Sequence, residues 1–140
     1  MKKDTNDLFE ELGADCRIDE YITENSSSFV FHTINEFWEK ACEKSGMSKS
    51  NIINKSDFNY CYFYDVINGR KIPGRDKIIR LALAMSLSLD DCQQALRISD
   101  KSLLYPRVKR DSLIIYALNN KLNIFQCNEL LSKFDEEKLK

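Results

Sequence analysis

The sequence predicts an all-α, single-domain bundle of about seven or eight helices, and three observations carry that expectation. Apolar residues recur at i, i+3 and i+4 along most of the chain, the spacing that gathers them on one face of a helix. Ser, Thr and Asn stand just ahead of these stripes, where a side-chain oxygen accepts hydrogen bonds from first-turn N–H groups. Only 4 Gly and 2 Pro occur in 140 residues, too few for the many tight turns of a β architecture. Hydrophobic residues at 43% against 31% charged supply the apolar surface for one core of ordinary size.

In order along the chain, residues 1–30 form an acidic arm. A short helix over 5–12 is capped by Thr5 and ended by Gly13, with Leu8, Phe9 and Leu12 on its apolar edge. A second, over 17–23, turns Ile18, Tyr21 and Ile22 inward. The NSSS stretch at 25–28 is the one linker-like segment. The arm reads either as a packing element or as a partner-binding, regulatory segment. Thr33 with Glu36 three residues later is a capping-box pattern. It opens a helix to about Ser45 in which Ile34, Phe37, Trp38, Ala41 and Cys42 face the core, Trp38 half-buried. His32, just ahead of that cap, reads as a capping or surface residue.

Ser48 opens the next helix, which carries Ile52 and Ile53 and ends near Ser56. A tight turn follows on Asp57 and Phe58, where Asp tolerates the left-handed backbone region. Asn59 caps a helix running to about Asn68, with Phe63, Val66 and Ile67 as its buried stripe. Gly69 supplies the left-handed residue that stops it. Pro73 restarts the chain. Residues 75–85 are almost continuously apolar, which means burial on most sides. Ser88 then caps a helix to about Leu96, with Leu89, Cys92, Ala95 and Leu96 buried.

The last third, 98–140, is a helical extension packed with the 33–97 core and the arm as one compact domain. Leu103, Leu104 and Tyr105 anchor a connector. A helix follows over about 107–119, and Asn123 caps a final one carrying Ile124, Phe125, Cys127, Leu130, Leu131 and Phe134. The terminal DEEKLK is charged and expected to fray.

The segment from Gly46 to Arg80 resembles the phage-repressor-type helix-turn-helix family, often called the XRE family. The likeness rests on Gly46-Met47-Ser48 before the first helix and Ile52-Ile53 within it. Asn68-Gly69-Arg70-Lys71 after the second helix and the Pro73 beyond complete it. The strings LLYPRVKRDSLIIYALNN and QCNELL are similar to a bacterial subgroup with a helical C-terminal extension. The resemblance implies sequence-specific binding of double-stranded DNA and transcriptional regulation, with the helix over about 59–68 in the major groove. It places Asn59, Tyr60, Tyr62 and Asp65, with Cys61, towards base edges. It places Lys49, Arg70, Lys71 and Arg75 at phosphates, which need cationic donors. A homodimer through the C-terminal helices, matching two-fold half-sites, is a further implication.

Among these residues only Asn59 belongs to the strong base readers. The family's Glu before Asn-Gly is Ile67 here, and its Gln at the first helix start is Lys49. Two tyrosines on an outward helical face equally suit a protein partner. The alternative is therefore a non-enzymatic protein-binding regulator or inhibitor, of phage or mobile-element type, built on this scaffold.

Charge follows the same division. Residues 1–37 carry net −6, residues 38–97 net +3 and residues 98–140 net +2. The cluster Arg107, Lys109, Arg110 and Asp111 reads either as local pairs at a helix start or as an extra phosphate clamp. The 5 Cys (Cys16, Cys42, Cys61, Cys92, Cys127) and 1 His contain no CxxC and no zinc spacing, so no metal is expected. Reduced thiols suit a cytoplasmic protein. No signal-peptide core or membrane-length apolar run stands in the sequence. No nucleophile elbow, P-loop or GxGxxG is present. Asp90-Asp91 and Glu136-Glu137 are sequence neighbours that diverge on a helix. Neither catalysis nor a cofactor is expected.

Overall fold

The computed structural model describes residues 5–13, 16–24 and 33–140. The stretch at 25–28 and His32 lie outside the described residues. Every regular element among the described residues is an α-helix: α1 (Thr5–Glu11), α2 (Ile18–Glu24), α3 (Ile34–Ser45), α4 (Lys49–Ser56), α5 (Tyr60–Ile67), α6 (Arg75–Ala84), α7 (Leu89–Ile98), α8 (Lys109–Asn119) and α9 (Ile124–Lys133). The all-α expectation holds, with nine helices described where the sequence suggested seven or eight. Contacts divide the chain into two units, residues 1–32 and 33–140.

In the first unit α1 buries none of its residues, Phe9 included, and Leu12 just beyond its end is exposed too. On α2 Tyr21 is buried, but Ile18 and Ile22, expected inward beside it, are exposed. Ile18 and Ile22 lie one turn apart on one stripe, with Tyr21 at its edge. Burial on this two-turn helix is confined to that edge.

The second unit is built around α6. Its residues Ile78, Ile79, Leu81 and Ala82 are wholly inaccessible, with Leu83, Ala84 and Met85 nearly so. Helices α4, α7, α8 and α9 all pack against it, while α5 packs on α3. Helix starts follow the caps legible in the sequence. Thr33, Ser48, Asn59 and Ser88 each accept a hydrogen bond from a first-turn N–H, and Asn123 and Gln126 form a reciprocal capping box. Helix ends follow a less legible rule. Asp57, Ser86, Asp100, Lys121 and Asp135 adopt left-handed conformations at φ 54–62°, with Gly46 and Gly69 the glycines that do so.

Three expectations are corrected. Trp38 is not half-buried but has 0% exposure, edge-on to Phe37 with ring centroids 5.1 Å apart. In the connector only Leu104 is buried, while Leu103 and Tyr105 face solvent. The Gln93 side chain donates to Leu104 O (2.9 Å) and accepts from Leu104 N (2.8 Å). This grip turns Leu104 inward and its neighbours out. The terminal DEEKLK is held rather than frayed. Leu139 is buried and its N–H donates to Asn128 Oδ1, Arg110 donates to the carbonyls of Glu137 and Lys138, and Lys140 N donates to Asp76.

Two ion pairs join α6 to α8 in a crossed arrangement. Arg75 Nη1 and Nη2 donate to Asp111 Oδ1 and Oδ2 at 3.0 and 2.8 Å. Arg110 Nη1 and Nη2 donate to Asp76 Oδ1 and Oδ2 at 3.1 and 3.0 Å. Each is a two-pronged guanidinium–carboxylate pair, the geometry that gives the most from such a contact. Asp111, 5% exposed, also accepts from Tyr105 N. Asp111→Ala would strand the Arg75 charge and the Tyr105 N–H. It should cost about 3 kcal/mol, read from the urea midpoint at unchanged m-value. Arg75→Met with Asp111→Leu should recover the part of that loss due to the stranded charge, with the Tyr105 N–H still unpaired.

Asp76 gives the unit an acid dependence. Desolvation raises its pKa, but hydrogen bonds from Arg110 and the Lys140 N–H, with the Arg110 and Arg75 charges, together bring it below the ordinary 3.8. The folded pKa lies under the unfolded one, so folding favours the ionised carboxylate. The stability it supplies is present above the unfolded value and is lost as pH falls through the folded value. Urea titrations between about pH 5 and about pH 2 should show Asp76→Asn with a shallower acid loss than the parent.

Candidate nucleic-acid interface

The α4–turn–α5 unit is fixed from below. Ile52, Phe63, Val66 and Ile67 are wholly buried. Asp57 ends α4 in the left-handed region (φ 58°), and its N–H donates to Ile53 O. Phe58, assigned to the turn, is itself a core residue at 8% exposure. Arg80 of α6 underpins the corner: it donates to Ser56 O and lays its guanidinium over the Phe58 ring at 5.6 Å. At the far end Asn35 Nδ2 donates to Ile67 O at 2.7 Å. Gly69 (φ 78°) passes close to α3, and a Cβ there would stand 3.6 Å from Asn35 N. Its left-handed backbone suits glycine, while the contact itself is of ordinary van der Waals length.

On this frame the residues expected at base edges take different places. Tyr60 projects furthest, 64% exposed. Asn59 uses Oδ1 to cap α5, accepting from Cys61 N at 2.9 Å and Tyr62 N at 3.3 Å. Tyr62 is half-buried, its ring 5.5 Å from Phe58. Asp65 faces two of the cations expected at phosphates, Arg70 at 3.7 Å and Lys71 at 3.5 Å.

The expected phosphate contacts divide as sharply. Arg70 and Lys71 are well exposed, and their long pairs with Asp65 are weak surface contacts that a stronger anion can displace. Lys49 lies 3.0 Å from Glu39, whose hydrogen bond holds the ammonium pKa above its usual 10.5. Arg75 is spent elsewhere. Besides Asp111 it donates through Nε to Ser102 O and through Nη2 to Leu103 O. Placed at the phosphate backbone by the sequence, it is instead a clamp on the C-terminal extension.

Sequence reasoning missed three residues here. Tyr64 stacks beside Tyr60, centroids 4.8 Å apart, with Lys49 Nζ 5.7 Å from its ring. The i, i+4 spacing of the two tyrosines was the available signal. Lys77 Nζ stands 4.8 Å from the Tyr62 centroid, and no carboxylate pairs with it among the described residues. Arg80, described above, is the third. Fifteen or more residues separate Lys77 and Arg80 from the rings they cover, so no local pattern announces them.

Among the described residues no three His, Cys, Asp or Glu side chains converge as a metal cage, and no helix is long and apolar enough to cross a membrane. A cleft of about 370 Å³ lies where Lys55, Ser86, Lys121 and Phe125 meet. Set against protein-family models, curated proteins and solved structures, the chain matches none.

Cys61 is exposed on α5, whereas Cys42, Cys92 and Cys127 are buried. Desolvation pushes the buried thiols up, Cys92 to about 12 and Cys127 to about 11. A thiol reagent at neutral pH should therefore label Cys61 first and half-buried Cys16 next, with the other three reacting only on unfolding. Peptide mass mapping over time reads that order. Early labelling of Cys92 would overturn the packing of α7 on α6.

Proposed function

We propose that this protein binds double-stranded DNA through α5 and acts as a repressor-like transcriptional regulator of the XRE type. One observation carries the reading. The outward edge of α5 begins at a protruding Tyr60 and ends beside two exposed cations, Arg70 and Lys71, on a corner rigidly supported from α3 and α6. A helix presented with its N-terminal end outward and cations at its far end fits a major groove between phosphate strands. Tyr60 would meet base edges or a thymine methyl, Asn59 its amide Nδ2, and Lys49, Arg70 and Lys71 the phosphates.

A second reading rests on a different property of the same face. Tyr60, Tyr62 and Tyr64 make α5 aromatic, and Asp65 is neutralised by its own neighbours. Such a face, polar at the rim and aromatic at the centre, also suits a protein partner.

Salt separates the two. If Lys49, Arg70 and Lys71 each neutralise one phosphate, raising salt from about 50 to about 200 mM should weaken duplex binding by roughly forty-fold or more. Fluorescence anisotropy would use a duplex from upstream of the chain's own gene beside a scrambled one. A preference for the upstream duplex, with Arg70→Ala/Lys71→Ala weakening both duplexes alike, is the expected result. Absence of binding at the lower salt would favour the protein-partner reading.

A further inference from the structure

On one side of α5, side chains from four segments build a layered cluster. The Phe58 ring from the turn lies 5.5 Å from the Tyr62 ring of α5, and Arg80 of α6 closes the inner side of Phe58. On the outer side Lys77 Nζ of α6 sits 4.8 Å from the Tyr62 centroid and 6.0 Å from Phe58. Lys71 Nζ sits 5.7 Å from the same Tyr62 ring. One tyrosine ring thus receives two ammonium groups from different segments. Asp65 pairs with Lys71 at 3.5 Å, and among the described residues no carboxylate pairs with Lys77.

Two like charges drawn towards one ring are an unfavourable pair in isolation. The negative face of the ring offsets part of that repulsion and limits where each ammonium can point. An anionic group bridging the two ammoniums would complete the offset. The ring also removes Tyr62 from free projection, since it is only half-buried and lies against Phe58 rather than outward like Tyr60.

We propose that Tyr62 is a positioning residue that aims Lys71 and Lys77 at one stretch of DNA phosphate backbone, and that Lys77 is a phosphate contact in the place expected for Arg75. This rests on the DNA reading above and assigns its backbone contacts on this side of α5. The phenol hydroxyl has no part in it; the ring does. Sequence preference then resides in Tyr60 and Asn59, and Tyr62 contributes affinity equally to every duplex.

The test measures duplex affinity across salt for the full chain and three variants, on upstream and scrambled duplexes. Lys77→Gln should lower the slope of log affinity against log salt by about 0.9, the mark of one lost phosphate contact. Tyr62→Phe keeps the ring and should bind as the parent does. Tyr62→Leu should weaken both duplexes by the same factor, roughly two- to fivefold. A shift in preference between duplexes in either Tyr62 variant would make Tyr62 a base reader and overturn the proposal. An unchanged slope in Lys77→Gln, with parental binding intact, would overturn it while leaving the DNA reading standing. A parent that binds neither duplex at low salt removes the DNA reading, and this proposal with it. Circular dichroism melts of the variants separate loss of binding from loss of fold.

Discussion

The crossed pairs Arg75–Asp111 and Asp76–Arg110 set the terms for the rest of the second unit. Two adjacent residues of α6 present plus then minus, and two adjacent residues of α8 present plus then minus in reply. The match works only with the helix starts in one register, so slippage along the seam would set like charges face to face. The same four residues collect the connector through Ser102, Leu103 and Tyr105, and the terminal segment through Glu137, Lys138 and Lys140. Because charge cancels across the seam, the contact fixes geometry without adding a field. The cationic character of the molecule is left to side chains beyond it.

That division matters for the face carried by α5. All four cations expected at phosphates answer a carboxylate nearby, but on very different terms. Arg75 is half-enclosed by four hydrogen-bond acceptors, whereas Arg70 and Lys71 touch Asp65 at the outer limit of an ion pair. Exposed pairs of that length contribute little. Phosphates approaching them would exchange one weak partner for a stronger one. The aromatic layer under Lys71 and Lys77 gives that exchange a defined direction, which a pair of free lysines would lack.

Much of this was legible in the sequence, and the boundary between what was and was not is physical. Caps are local: Ser48, Asn59, Ser88 and Asn123 act within four residues of themselves, and each was read in its place. So were the stripes Phe63, Val66, Ile67 and the dense apolar run of α6, because helical period is a local property too. The failures share one cause. Arg75 and Asp111 lie 36 residues apart, Gln93 and Leu104 eleven, and Asp76 and Lys140 sixty-four. Nothing in the neighbourhood of Arg75 distinguishes a clamp from a phosphate contact. Composition likewise cannot show that DEEKLK is held by its backbone groups together with the buried Leu139. The full burial of Trp38 and the core role of Phe58 depend on which helix lies above them, which periodicity does not specify.

The left-handed corners at Asp57, Ser86, Asp100, Lys121 and Asp135 bear on how this unit comes apart. Ser86 and Lys121 hold a backbone conformation that their residue types disfavour when alone, at a cost on the order of 1–2 kcal/mol each, while the three Asp residues tolerate it more readily. No isolated helix pair can recover that cost from its own short interface. The corners persist only when α6 is surrounded on all sides and the packing overrides local preference. Partial structures that keep one helix pair are therefore disfavoured most at the α6–α7 and α8–α9 joints, where Ser86 and Lys121 rely on the surrounding packing.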